Sequence, residues 1–179
     1  TVADEMTNAF SDYGELDASS EPRLAYNNSS QYTREAVNRD PWNGLHRVVS
    51  NVNDALVALR RGVPVADSLR ARAVAKFVQG LAHGYLALYF DSAFVVTELT
   101  DLNEAQPVLQ PYSVVMDTAL SELSQAIAIA QANTFNLPTP GWLYKAMTNL
   151  DLARLARSYR ARLRASVARS RSERAAVDW

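Results

Sequence analysis

The sequence predicts an all-α protein made of tetratricopeptide-like helical hairpins, an alpha-alpha superhelix, with long irregular loops. Three observations predict it. Residues 66–90, ADSLRARAVAKFVQGLAHGYLALYF, form the longest apolar-rich helical pattern in the chain. Two pairs of such patterns, 40–90 and 112–168, are each joined by a segment of Pro and Gly turn chemistry. A further helix start follows at 172. Helices paired through short connections are antiparallel neighbours, and successive pairs stack as a repeat array.

In chain order, Val2, Met6 and Phe10 lie at four-residue steps, so residues 1–13 read as a short helix that Gly14 ends. Residues 15–39 carry little periodicity and much Ser, Asn and Asp, which reads as an irregular loop. A loop of that length within a compact domain is commonly functional. Asp40-Pro41-Trp42 reads as a helix start, with Asp40 as N-cap and Pro41 at the first helical position. Leu45, Val49, Val52, Leu56 and Leu59 then share one face. Gly62 ends the helix, with Pro64 just beyond.

Asp67 or Ser68 caps the helix at 66–90. Phe77, Val78, Leu81, Tyr85 and Leu88 form its main apolar face, and Leu86 and Tyr89 carry apolar character onto a second. Such a helix has to be packed on more than one side. Residues 91–111 are a loop in which FVVTEL reads as extended, closed by Pro107 and Pro111. Tyr112, Val115, Ala119, Leu123, Ile127 and Ala130 fit one helical face. NTFNLPTPG at 133–141 is turn chemistry, and 142–168 is helical, with Leu143, Ala146, Leu150, Ala153 and Arg157 in register. The expected organisation is one helical domain over 1–179, part of a longer chain. Its parts are 1–39 (helix and loop), 40–90 (first helix pair), 91–111 (loop), 112–168 (second helix pair) and 172–179 (start of a further helix).

Composition narrows the chemistry. There are 179 residues, 48% hydrophobic, with a net charge of -1. That suits a globular core and argues against a disordered chain. No apolar run is long enough to span a bilayer. Cysteine is absent, which removes disulfides, thiolate nucleophiles and Cys-based zinc sites from this chain. There is no glycine-rich phosphate loop and no His-Glu-x-x-His motif. His46 and His83 sit beside apolar residues and read as packing. Asp4/Glu5 and Asp101/Glu104 have no burial to tune them as acid and base. The reading is therefore a non-enzyme with no cofactor and no metal.

Charge is uneven. Residues 1–22 hold six acids and no base, whereas 151–174 hold eight arginines against Asp151 and Glu173. Arg154, Arg157, Arg160, Arg164 and Arg171 cover much of one helix side. Without basic-aromatic interleaving or a reading motif, this is a solvated or ion-paired face and no nucleic acid is expected. Gly80 and Gly84, in GLAHG, have the spacing that admits a close neighbouring helix. Tyr26, Asn28, Tyr32, Arg34 and Trp42 are the candidate ligand-binding residues. Aromatic planes beside amide and guanidinium groups suit sugar rings, although packing of Trp42 at its helix start is the simpler role.

Four stretches, in order, resemble the SusD/RagB family of nutrient-binding outer-membrane lipoproteins. PWNGLHRVVSNVNDALVALRRG places Trp42, Asn53, Leu56 and Leu59 as in that family. LRARAVAKFVQGLAHGYLALYFDSAFVVTE does so with Ala75, Phe77, Tyr85, Leu88, Val95, Val96, Thr97 and Glu98. VLQPYSVVMDTALSELSQAIAIA matches at Tyr112, Leu120 and Ala126, and WLYKAMTNLDLARLARSYRA at Lys145, Ala146, Leu152, Ala153 and Arg154. The likeness covers roughly 40–179. It departs at Gly80-Leu81, where the family has Arg-Ala, and at Asp91-Ser92-Ala93-Phe94, where it has a Gly-Asp-x-Pro turn. The lipid-bearing Cys is not in this chain.

The resemblance implies a non-catalytic lipoprotein at the extracellular face of the outer membrane, held only by a lipid anchor outside this chain. It implies capture of an oligosaccharide, or in some branches a peptide, and delivery to a TonB-dependent SusC-like transporter docked on the tetratricopeptide-like helices. The competing expectation is a tetratricopeptide-like protein–protein interaction scaffold with no sugar ligand.

Overall fold

The computed structural model of the chain describes residues 36–102, 106–138 and 145–177. It is mostly helical, with five helices and one two-stranded ribbon among the described residues. Two compact units are delimited, Thr1–Gly44 and Leu45–Trp179.

Helix α1 runs over Ala36–Arg60. Its opening is the described part of the first unit, and it corrects the expected start at Asp40. The helix begins at Ala36 with Pro41 inside it, and the Asp40 carboxylate pairs with Arg39 Nε at 3.2 Å instead of capping. As the sixth residue of the helix, Pro41 lies beyond the first turn and removes the donor that would bond to the carbonyl of residue 37, so the helix passes through it one backbone hydrogen bond short.

In the second unit, α1 buries Val49 and Leu56, with Asn53 buried between them. Its end is as expected. Gly62 takes φ 80°, its N–H donates to Leu59 O at 3.2 Å, and Val63 N–H donates to Ala58 O at 3.1 Å. This paired closure satisfies two carbonyls that the helix leaves over, and the positive φ favours glycine.

Helix α2 is Ser68–Tyr89, capped by Asp67, whose carboxylate accepts from Arg70 N–H at 2.9 Å. It packs on α3 (Tyr112–Ala132), on α4 (Asn149–Ser166) and on strand β1 (Ser92–Phe94), so packing on several sides is met. The innermost side is not the expected one. Phe77, Val78, Leu81, Tyr85 and Leu88 are half-buried and Tyr89 is exposed. The fully buried residues are Ala73, Lys76, Gln79, Gly80, Ala82, His83, Gly84, Leu86 and Ala87. Small residues let neighbouring helices approach closest, so the deepest side of α2 is its small side, not its bulky one. A Cβ on Gly80 would lie 2.8 Å from Leu123 Cγ and 3.0 Å from Ala119 O; on Gly84 it would lie 2.4 Å from Leu163 Cδ1. The close approach expected from GLAHG is thus made by two helices, α3 at Gly80 and α4 at Gly84.

These contacts fix direction. Ala73 shares a core cluster with Ala130, while Gly80 meets Leu123 and Ala119, so α3 runs antiparallel to α2. Ala73 also meets Leu152 and Ala153, Phe77 packs edge-on against Tyr159, and Gly84 meets Leu163, so α4 runs parallel to α2. Phe135, Leu137 and Met147 close the same cluster.

The extended segment lies earlier than expected. Strand β1 pairs antiparallel with β2 (Leu109–Pro111), Ala93 opposite Gln110, and residues 95–98 follow outside the ladder. Pro111 cannot donate and ends the ribbon where α3 begins. The helix expected over 142–168 is also shorter. Helix α4 starts at Asn149 behind a capping box in which Thr148 and Asp151 satisfy each other's backbone N–H groups. Residues 136 and 148 pair as an isolated bridge just before it. Helix α5, Arg171–Ala175, starts one residue before the expected Ser172, with Ser170 and Glu173 in a second capping box.

Candidate functional site

Lys76, Gln79 and His83 stand three and four residues apart on α2, so they share a face, and that face is turned inward. Lys76 Nζ meets Glu98 Oε2 at 2.8 Å and donates to Gln79 Oε1 at 3.1 Å. The Gln79 amide donates to Val96 O at 3.4 Å. One helical turn further, His83 Nδ1 lies 2.8 Å from Glu122 Oε2 of α3, both residues being almost wholly buried. Against an ionised carboxylate this contact requires Nδ1 to carry the proton. Burial of such groups costs several kcal/mol unless they are hydrogen-bonded, so this polar row is a specific feature of the interior. Its pairing is incomplete: His83 Nε2 and Glu122 Oε1 are buried with no hydrogen-bond partner, as is Asn53 Oδ1 on α1.

Through Lys76 and Gln79, the row holds the segment 96–98, and Glu98 and Leu99 form a wall shared by two clefts. The first, about 670 Å³, lies between α1 and residues 98–102; Asn53, Asp54, Arg60, Arg61, Thr100 and Asp101 supply its polar groups and Leu99 and Leu102 its apolar ones. Arg60 Nη1 donates to Glu98 O at 2.9 Å, which ties α1 to the wall. The second, about 360 Å³, lies between α2, α3 and residues 97–99. The wall is shaped by a local turn in which Thr97 N–H donates to Thr100 Oγ1 at 3.0 Å and Thr100 N–H to Thr97 O at 2.9 Å.

A second polar cluster closes the far end of α2. Arg169 donates to Ala87 O at 2.9 Å and Phe90 O at 2.8 Å, pairs with Asp91, and stacks 3.9 Å over the Tyr112 ring. The Tyr112 hydroxyl donates to Glu173 Oε1 at 2.9 Å, and Arg169 N–H to Glu173 Oε2 at 2.6 Å. The Arg169 and Tyr112 hydrogen bonds hold the Glu173 carboxyl below its ordinary value. The bond to that carboxylate raises the Tyr112 phenol, assisted by burial. These shifts follow from capping and clamping groups and do not mark an acid–base pair.

Of the sequence-predicted site residues, Tyr26, Asn28, Tyr32 and Arg34 lie outside the described residues. Trp42 is half-buried on α1, in the first unit. Arg154, Arg157, Arg160 and Arg164 are exposed on α4, as expected, and Arg154 pairs with Asp151 at 3.0 Å. Among the described residues no group of three or more His, Asp or Glu is placed to hold a metal, and no helix is long and apolar enough to cross a membrane. In the sequence His83 reads as packing, and Lys76, Gln79 and Glu122 carry no local site signal. The available signal was spread along α2: the face that Lys76, Gln79 and His83 share with Gly80 and Gly84, since polar residues beside a glycine seam face the neighbour that the seam admits. No family model, no curated protein and no solved structure matches the chain.

Proposed function

We propose that this chain is the tetratricopeptide-like helical part of a SusD/RagB-type nutrient-binding protein. In this reading it is non-catalytic, sits at the extracellular face of an outer membrane through a lipid anchor, and hands an oligosaccharide to a TonB-dependent SusC-like transporter. The observation that carries the reading is the order of the four resembling stretches along the chain: the matching residues of the first three fall on α1, on α2 with its following segment and on α3, and those of the fourth on α4 and, for Lys145 and Ala146, just before it. Within the second stretch the helix and the Thr97-Glu98 segment are tied by the Lys76–Glu98 ion pair, so the two parts of that pattern form one structural piece. The hairpins would present their exposed helix faces to the transporter and their loops to the ligand.

The cleft of α1 and residues 98–102 has the chemistry this role requires among the described residues. Amide, guanidinium and carboxylate groups alternate there beside exposed Leu99 and Leu102, which suits hydroxyl-rich rings with apolar faces. It adds to Tyr26, Asn28, Tyr32, Arg34 and Trp42 as places to seek contact. A glycan array read with the full chain, followed by titration calorimetry on any hit, tests the proposal. Binding that weakens about tenfold or more in Asp101→Ala or Arg34→Ala supports it, the loss of a charged hydrogen bond being of that size. Absence of glycan binding alongside capture of a peptide or protein ligand replaces it with the interaction-scaffold reading.

A further inference from the structure

A third cleft, about 510 Å³, lies between α3, α4 and the chain around α5. Its floor is apolar: Met116 is buried beneath it, and Leu120, Val167 and Val177 are half-buried along it. One end is closed by the hydrogen bond from the Tyr112 hydroxyl to Glu173, which joins α3 to α5. On the α4 side stand Arg160 and Arg164, one turn apart and both exposed. The surrounding charge is positive. Residues 151–174 carry eight arginines and two acids. Both acids are engaged, Asp151 by Thr148 and Arg154, and Glu173 by the Tyr112 hydroxyl and the N–H groups of Arg169 and Ser170. Asp117 opposes the arginines: it is exposed and lines both this cleft and the one between α2 and α3.

We propose that this cleft binds an alkyl carboxylate, its hydrocarbon chain along Leu120, Val167 and Val177 and its carboxylate at Arg160, with Arg164 one turn further. A guanidinium presents fixed N–H donors that match a carboxylate, and such charge-assisted bonds are about twice as strong as neutral ones. Both guanidinium groups are exposed, so a ligand reaches them without rearrangement of the core. The floor adds affinity in proportion to the apolar area it removes from water. A neutral chain of the same length forgoes the guanidinium bonds, and a short anion forgoes the floor. The volume is in the range that small-ligand sites occupy, and an apolar floor with a few polar groups at one side is their usual chemistry. The site does not rest on the nutrient reading, and it shares no lining residue with the cleft of α1.

The test is an NMR titration of the full chain with sodium hexanoate, with n-hexanol as the neutral isostere and acetate as the anion without a chain. The expected result is saturable shifts at amides lining the cleft on α3 and α4 with hexanoate, with a Kd of order 1 mM. Affinity should rise about 2–4-fold for each methylene added from butanoate to octanoate. Hexanol and acetate should each bind about tenfold more weakly than hexanoate. Arg160→Gln is expected to weaken hexanoate about fivefold or more. Asp117→Asn removes the opposing carboxylate and is expected to tighten it about twofold. Both residues are exposed, so neither change empties the core. Equal affinity for n-hexanol, no dependence on chain length, unchanged affinity in Arg160→Gln, or weaker binding in Asp117→Asn would overturn the proposal.

Discussion

Gly80 and Gly84 decide how close α2 lies to its neighbours, and they do so unequally. At Gly80 an added methyl meets the branch carbon of Leu123 and a backbone oxygen of Ala119; at Gly84 it meets chiefly the end of the Leu163 side chain. Backbone cannot yield, whereas a side-chain end can. Alanine improves helix propensity by about 1 kcal/mol over glycine at either site. Gly80→Ala is therefore expected to lose about 1–3 kcal/mol net through overpacking, and Gly84→Ala less, in urea unfolding. An equal or larger loss at Gly84 would contradict this account. The His83–Glu122 pair makes a second prediction. His83→Leu or Glu122→Leu alone strands a buried polar group and is expected to cost about 3 kcal/mol or more. The double variant His83→Leu/Glu122→Leu should cost less than the sum, and a double-mutant cycle on unfolding free energies measures the difference.

At the scale of elements, ends matter more than middles. Helix α4 begins where Thr148 and Asp151 cap each other, not where apolar periodicity first allows a helix. Thr148→Ala should lower stability by about 1 kcal/mol. Arg169 does a similar service for α2 from 82 and 79 residues away in sequence, by donating to the carbonyls of Ala87 and Phe90. The caps also set a pH response. Backbone and hydroxyl donors from Thr148 hold Asp151 below its ordinary value, and those from Arg169, Tyr112 and Ser170 do so for Glu173. A carboxyl depressed in the folded state contributes stability above its unfolded pKa, about 4, and loses it as pH falls through the lower folded value. Tyr112 is raised, so its contribution is present below about pH 10 and is lost as pH rises through the raised value. Glu173→Gln should shallow the acid loss of stability below about pH 4 and bring the Tyr112 phenol back toward its ordinary titration, read by ultraviolet difference absorbance. An unchanged phenol titration would show that the Tyr112–Glu173 bond does not form in solution.

At the scale of the molecule, the described residues of the Leu45–Trp179 unit are built on α2, with α3 and α4 against it and the segment 96–98 pinned to its polar row. Amide hydrogen exchange should follow that plan. The buried stretches of α2 and α3 around Ala73–Ala87 and Val115–Ala130 should open only with global unfolding, whereas α5, five residues long with none buried, should exchange first. Fast exchange in the middle of α2 would contradict a core centred there. The same plan separates the two clefts: both share the 98–99 wall, so a ligand that shifts the wall on one side should alter amide signals on the other.

The sequence by itself determined that the four long helices of the described residues exist, because periodicity, Asp67, Gly62 and the Pro-rich turns are local signals that act within a few residues; the helix expected over 1–13 lies outside the described residues. It also determined that GLAHG admits a close neighbour, since only the absence of side chains is needed for that inference. Two boundaries escaped it. Pro41 lies inside a helix instead of opening one, and Thr148-Asn149-Leu150-Asp151 caps a helix that periodicity had begun earlier; in both places local periodicity and capping pull apart. Which side of α2 is innermost was decided only by the tertiary structure. Apolar volume pointed to the Phe77–Tyr85 side, but helices come closest where side chains are smallest, and that geometry drew Lys76, Gln79 and His83 inside. Their partners Glu98 and Glu122 lie 22 and 39 residues away in sequence, a separation over which periodicity carries no information, so the polar row and the clefts on either side of its wall exist only in the folded chain.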